Sequence, residues 1–169
     1  MTRRTVPGAL LALLVLVLPA CGGEEAGSSA GEWSTTVAEE ISADLSVAPE
    51  VPATDAEPPA ELVTVDVVEG DGAEAVEGST VAVKYVGAFY ETGEEFDSSW
   101  SRGADETLPV TLGAGQVIEG FDQGITGMQV GGRRAIAIPS ELGYGDQATG
   151  PIPAGSMLVF VIDLVEVAA

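Results

Sequence analysis

Two aromatic residues and one carboxylate stand where a hairpin would bring them together. Tyr85 ends an alternating apolar pattern that begins at Val81, and the following Glu91-Thr92-Gly93 is typical of a turn. A strand that returns through Phe96 and Asp97 would then lie beside Tyr85. This stretch therefore predicts one wall of an apolar pocket that carries a single polar anchor.

The residue types in the chain exclude several other chemistries. The sequence has no His and a single Cys, Cys21. Ser-His and Cys-His catalytic groups and the usual Cys/His zinc sites therefore cannot be built. The glycines of residues 112–120 fit neither the dinucleotide-binding fingerprint nor a phosphate-binding P-loop.

The charge balance limits the partners of the protein. Asp and Glu number 27 against 6 Lys and Arg, so the chain is not expected to bind nucleic acid. The adjacent Glu94 and Glu95 point to opposite faces of a strand, which favours solvated charges over a glycosidase pair. Arg133 and Arg134 are interpreted as a pair on the surface of a strand that offsets local acidity.

The candidate pocket residues must be positioned by a small domain, predicted from Glu61 to Ala169. Ile118, Phe121 and Ile125 would share one face of a short helix around Glu119–Ile125. Five or six antiparallel strands with this one short helix indicate an α+β fold, with the helix packed on the sheet. The strands are expected at residues 62–68, 81–89, around 96, 108–112, 132–138 and 157–167.

Residues 1–20 have the layout of a secretory signal peptide. Two arginines precede an apolar run of about 12 residues, shorter than the roughly 20 that a membrane-spanning helix needs. The run ends in Leu18-Pro19-Ala20-Cys21, which resembles the lipobox of bacterial lipoproteins. The resemblance implies that Cys21 is lipidated and anchors the protein to the cell membrane, outside the cytoplasm. A soluble secreted protein with a free thiol is the alternative.

Residues 21–60 are predicted to be the lipidated Cys followed by an acidic, Pro-rich linker. After Cys21 the segment has no basic residue and is rich in Gly, Ser, Ala, Pro and Glu, which favours an extended, solvated spacer. Thr36 and Glu39 form a capping-box pattern, with Val37, Ile41 and Leu45 at helical spacing. A short helix there would either dock on the domain or a partner, or form only transiently and without a role.

The ordered motifs of residues 61–169 resemble those of FKBP-type peptidyl-prolyl cis-trans isomerases. Any one motif is weak evidence, but the set follows the order and spacing of the family. The resemblance implies a strongly bent antiparallel sheet wrapped around a short helix, with the active site between them and no metal or cofactor. The matching runs are Gly70-Asp71-Gly72, Val83-Lys84-Tyr85-Val86-Gly87, Phe96-Asp97-Ser98-Ser99, Leu112-Gly113, Gln116-Val117-Ile118-Glu119-Gly120-Phe121, Gly124, Gly127-Met128, Val130-Gly131, Tyr144-Gly145, Ile152-Pro153 and Leu158-Val159-Phe160.

The same resemblance implies which residues form the site. Phe121 stands where the best-known members have Trp, which implies a smaller pocket floor and weaker binding of macrolide inhibitors. Gln116 stands where some members have Glu, which removes a charge at the rim. The residues expected to be catalytic are Tyr85, Phe96, Asp97, Tyr144 and Phe160. Those expected to bind substrate are Arg102, Leu108, Val117, Ile118, Phe121 and Ile152.

To catalyse isomerisation of an Xaa-Pro bond, a protein needs a pocket of suitable shape that excludes water, more than it needs reactive groups. The two isomers differ by less than about 1 kcal/mol, but the barrier from amide resonance is roughly 20 kcal/mol. An apolar cup that buries the proline ring could favour the twisted amide. The Tyr144 hydroxyl and the Ile118 N–H are candidates to hold the substrate main chain. Asp97, paired with Arg102 and near Tyr85, is expected to organise the site without transferring a proton.

The leading hypothesis is a membrane-anchored folding catalyst that isomerises Xaa-Pro bonds of exported proteins. Its partners would be proline-containing polypeptides, and the membrane through its lipid. A catalytically weak lipoprotein that binds proline peptides or acts as a chaperone is the alternative suggested by Phe121 and Gln116. A third hypothesis is an acidic surface protein in which the domain is only a scaffold.

Overall fold

The computed structural model describes residues 28–168. The predicted signal peptide, residues 1–20, and the predicted lipidation site, Cys21, lie outside the described residues. Between residues 28 and 168, no helix is long and apolar enough to cross a membrane. This part of the chain forms two α-helices and a six-stranded sheet, in the order α1 Ser28–Glu40, β1 Val63–Val68, β2 Thr80–Phe89, β3 Glu95–Ser98, β4 Leu108–Thr111, α2 Glu119–Ile125, β5 Arg133–Ile138 and β6 Leu158–Ala168.

All the strand pairs are antiparallel, and the order across the sheet is β1-β5-β6-β2-β3. The strand β4 pairs with the first half of β2, from Thr80 to Val83, while β3 pairs with the last half. Both therefore lie along the edge of β2 opposite β6. Pro109 falls in the edge strand β4, where its missing N–H costs little. The predicted α+β class, the antiparallel sheet and the helix Glu119–Ile125 are confirmed.

The helix α2 packs closely on one face of the sheet because two of its residues are glycines. A Cβ atom on Gly120 would lie 2.4 Å from the Ile138 side chain, and one on Gly124 would lie 2.3 Å from Ile136. Neither position could hold a larger residue unless the isoleucine side chain opposite it moved. Phe121 and Ile125, predicted to share one face, are both buried in the resulting core.

The opposite face of the sheet is covered by α1. Trp33, Val37 and Ile41 are spaced one helical turn apart and are 1–4% exposed. They form a second apolar core with side chains from the back of the sheet, which are Tyr90, Ala135, Ala137, Val159 and Val161. The extended, solvated spacer predicted here therefore does not describe this segment, because its apolar side chains cover an apolar sheet face.

The helix also begins earlier than its capping-box pattern indicates. The Thr36 hydroxyl donates a hydrogen bond to the carbonyl of Glu32, at 3.1 Å, and so lies within the helix instead of at its start. The helix ends at Glu40, and Leu45 lies beyond it. Val37 and Ile41 do lie on the buried face, so the pattern identified the right face but the wrong bounds.

Residues 42–60, which we call the strap, follow α1 and are fixed to the sheet by Arg133. The Arg133 side chain is fully buried and donates to both carboxylate oxygens of Asp163, at 2.5 and 2.7 Å. It also donates to the carbonyls of Ser42, Asp44 and Val47, at 2.6, 3.3 and 3.1 Å. The interpretation of Arg133 as a surface residue is therefore wrong. Its charge is tolerated inside because a carboxylate and three carbonyls take up its donors.

Arg134 faces the other side of the sheet and connects three elements. It donates to both carboxylate oxygens of Asp66, at 2.7 and 3.0 Å, which joins β5 to β1. It also donates to the carbonyls of Gly124 and Thr126, at 3.0 and 3.3 Å. A cation at these carbonyls satisfies acceptors that the end of α2 leaves unpaired.

We expect Arg133→Met to lower the free energy of unfolding by about 3–5 kcal/mol, because it leaves the Asp163 carboxylate buried without a cation. Urea unfolding of the purified protein measures this loss. The double variant Arg133→Met/Asp163→Leu should recover much of it. As a control, Arg102→Met removes an ion pair whose side chains are about half exposed, and should cost about 1 kcal/mol or less. Equal losses in Arg133→Met and Arg102→Met would contradict this account.

Candidate active site

A cavity of about 410 Å³ opens between α2 and the sheet, on the face opposite α1. Of the residues expected from the sequence to form the site, Arg102 alone does not line this cavity. Those that do are Tyr85, Phe96, Asp97, Leu108, Val117, Ile118, Phe121, Tyr144, Ile152 and Phe160. The fold therefore brings together side chains from four strands, α2, the loop before α2 and the loop before β6.

The base of the cavity is a cluster of aromatic rings centred on Phe160. Its ring centroid lies 5.1 Å from that of Phe121, 5.7 Å from Phe96 and 6.1 Å from Tyr85. The first two pairs meet edge to face, which is a favourable arrangement for aromatic rings. Gly87 makes the cluster possible, because a Cβ atom there would lie 2.8 Å from both Phe160 and Phe96. The base is consequently closely packed and apolar.

On one side of the cavity, the side chains of Tyr85, Asp97 and Arg102 form hydrogen bonds with one another. The Tyr85 hydroxyl donates to Asp97 Oδ2 at 2.5 Å, and Arg102 donates to Asp97 Oδ1 and to the Tyr85 hydroxyl, each at 2.9 Å. The Ser98 N–H also donates to Asp97 Oδ1, at 2.9 Å. Burial, together with the hydrogen bond to Asp97, raises the pKa of Tyr85, so its hydroxyl stays protonated at neutral pH.

These hydrogen bonds fit the organising role that the sequence predicts for Asp97. Both of its carboxylate oxygens already accept hydrogen bonds from the protein. The hydrogen bond that Arg102 donates to the Tyr85 hydroxyl also raises the pKa of Arg102, which keeps the guanidinium charged beside the carboxylate. The three side chains thereby fix one another at the edge of the aromatic base, and no free general base results.

The mouth of the cavity offers two unused hydrogen-bond donors. Ile118 has extended backbone angles just before α2, with φ −61° and ψ 148°. Within residues 28–168, neither its N–H nor the Tyr144 hydroxyl has a hydrogen-bond partner. Both residues line the cavity. They are therefore free to bind the main chain of a polypeptide, the role expected for them from the sequence.

Sequence reasoning missed part of the rim. Thr149 and Ile152 exchange backbone hydrogen bonds of 2.9 and 3.0 Å, and this tight turn carries Gly150 and Pro151 at the cavity edge. The Gly-Pro pair was a turn signal, but its place in space depends on the whole loop. Gln116, in contrast, was expected at the rim and does line the cavity, where its side-chain oxygen accepts a hydrogen bond from the Thr111 N–H at 2.8 Å.

Comparisons with known proteins agree with this geometry. Residues 72–165 match the family model described as FKBP-type peptidyl-prolyl cis-trans isomerase. The chain is 54% identical over 121 residues to an FK506-binding protein of Streptomyces anulatus, covering 70% of this chain and 96% of the relative. It is 49% identical over 107 residues to a probable FK506-binding protein of Corynebacterium glutamicum, covering 63% and 87%. Among solved structures, AtFKBP13 is similar with a TM-score of 0.59 and 40% identity, covering 66% of this chain and 96% of that one.

We expect Asp97→Ala to lower kcat/KM for a short Xaa-Pro peptide by about tenfold, because Tyr85 and Arg102 lose their charged acceptor. Asp97→Asn should lose clearly less, since an amide oxygen still accepts from Tyr85. Protease-coupled or NMR exchange measurements of cis-trans relaxation give both values. Tyr85→Phe serves as the matched control, because it keeps the aromatic ring and removes only the hydroxyl that donates to Asp97. Equal, near-complete losses in the Ala and Asn variants would indicate a general base and contradict the organising role.

Proposed function

The chain belongs to the family of FKBP-type peptidyl-prolyl cis-trans isomerases, and on that premise we propose that it acts as a lipid-anchored enzyme on the Xaa-Pro bonds of exported proteins. The observation that carries the isomerase activity is the apolar cup around Phe160, with its polar residues bonded to one another at the edge. The anchor is supported by the lipobox-like sequence that ends at Cys21.

The cup can promote isomerisation without a reactive group. Burial of the proline ring against Phe160 and Phe121 removes water from the amide, whose carbonyl then loses hydrogen bonds that favour the planar forms. The Ile118 N–H and the Tyr144 hydroxyl can hold the flanking main chain, so that rotation about the bond takes place between fixed ends. Binding the twisted amide better than either planar form is what lowers the barrier.

The same apolar cup is also a candidate site for macrolides, and the names of the relatives above, FK506-binding proteins, support this proposal. Phe121 is 3% exposed and forms the floor beside Tyr85 and Phe160. A floor made of Phe offers less apolar surface than one made of Trp. We therefore propose that the chain binds such macrolides, but more weakly than members with Trp at this position.

We expect Phe121→Trp to strengthen FK506 binding by about fivefold, because the larger ring adds roughly 1 kcal/mol of apolar contact at the floor. Isothermal titration calorimetry measures the change. Phe89→Trp is the matched control, since Phe89 packs on Phe96 but does not line the cavity, and it should leave the affinity unchanged. Weaker binding by Phe121→Trp would show that the floor cannot hold the larger ring and would contradict the proposal.

The anchor is tested by labelling cells that produce the full chain with an alkyne fatty acid. We expect the wild-type protein to carry the label and to sediment with membranes. Cys21→Ser should carry none and leave the membrane fraction, because Cys21 is the only Cys in the chain. An unlabelled wild-type protein with a free thiol in the medium would instead support the soluble secreted alternative.

A further inference from the structure

We propose that a second groove beside the catalytic cavity holds the part of the substrate polypeptide that flanks the proline, and that it favours Lys and Arg there. The inference rests on the isomerase function of the cavity. The groove encloses about 650 Å³ and lies between the strap, the turn that joins β2 to β3, and residues 139–141 and 153–157. It is thus partly built from a segment outside the residues that the family model matches.

The strap forms a fixed wall of this groove. Pro58–Ala60 line it. The preceding residues are bound to the β2–β3 turn, where the Thr54 N–H donates to the Glu91 carbonyl at 3.1 Å. Gly93, with φ +66°, lets the strap approach closely, since a Cβ atom there would lie 2.3 Å from the carbonyl oxygen of Val51. The strap therefore completes one wall of the groove.

The groove is adjacent to the catalytic cavity. Phe89 lines the groove and Phe96 lines the cavity, and their ring centroids are 5.3 Å apart. Ile152 and Pro153, consecutive in the chain, likewise lie one on each side. An extended polypeptide advances about 3.3 Å per residue. A chain with its proline in the cavity therefore reaches the groove within a few residues.

The lining of the groove determines which polypeptide fits it. Its charged residues are Glu91, Glu94 and Glu141, all exposed, and no Lys or Arg lines it. None of the three carboxylates forms an ion pair with the described residues. The remaining surface is largely apolar, with Phe89, Tyr90, Pro139, Pro153 and Met157. Such a groove complements an unfolded segment that carries apolar and basic residues, and it repels an acidic one.

Peptides with one Xaa-Pro core test this inference. Three longer peptides carry two Lys, two Glu or two Ser about four to six residues from the proline, on either side of it. A tetrapeptide contains the Xaa-Pro core alone. At low ionic strength, we expect the full chain to give a kcat/KM about fivefold higher for the Lys peptide than for the Glu peptide. The triple variant Glu91→Gln/Glu94→Gln/Glu141→Gln should remove most of that difference and leave the tetrapeptide unchanged.

A charge-matched variant separates the groove from the overall charge of the chain, which is −21 and would itself attract basic peptides. Glu39→Gln/Glu69→Gln/Glu166→Gln removes three exposed carboxylates that do not line the groove, and it should keep the preference for Lys. An equal loss in both triple variants, or no preference in the wild type, would overturn the inference. Failure of the wild type to isomerise the tetrapeptide would overturn the isomerase function itself.

Discussion

The sheet has two apolar faces, and the rest of the structure depends on covering both of them. Along β6, Leu158, Phe160 and Ile162 point towards α2, while Val159 and Val161 point towards α1. An antiparallel sheet often leaves one face to water, but these side chains would make that costly. The helix α2 and the catalytic cup cover the first face, and α1 covers the second. Arg133 then ties the strap that follows α1 to Asp163, on the same side of β6 as Val159 and Val161.

The elements within residues 61–169 could be predicted because each has a strong local signal. The alternation of apolar residues in β2 and the helical spacing of Phe121 and Ile125 in α2 are both visible within a few neighbouring residues of the sequence. The bounds of α1 could not be predicted in this way, since the burial of Trp33 depends on residues that are distant in the chain, such as Tyr90, whose ring centroid lies 6.0 Å from that of Trp33. One signal was present: β6 begins with five consecutive apolar residues, Leu158–Ile162, and such a run is typical of a strand buried on both faces.

The ionic contacts were the least predictable part of the fold. Arg133 and Arg134 are adjacent, and a strand sends neighbours to opposite faces. The contacts of each arginine then depend on which residues pack against its face of the sheet. Arg133 meets Asp163 and strap carbonyls that are 86–91 residues away in the chain, whereas Arg134 meets Asp66 and the end of α2. In contrast, the pairing of Asp97 with Arg102 was expected from the resemblance to the family, and the two residues are only five positions apart in the chain.

The catalytic cup follows from how closely backbones approach one another. Gly87 lets the rings of Phe96 and Phe160 meet over β2, and Gly120 and Gly124 set the depth of α2 on β5. Phe121 lies between these two glycines, so the helix–sheet distance also fixes the floor of the cup. A reaction that depends on a water-excluding surface of defined shape does not require His, Cys or a metal, but it does require these distances to be kept. The glycines, which contribute no side chain to the cavity, are therefore as necessary to its shape as the aromatic residues that line it.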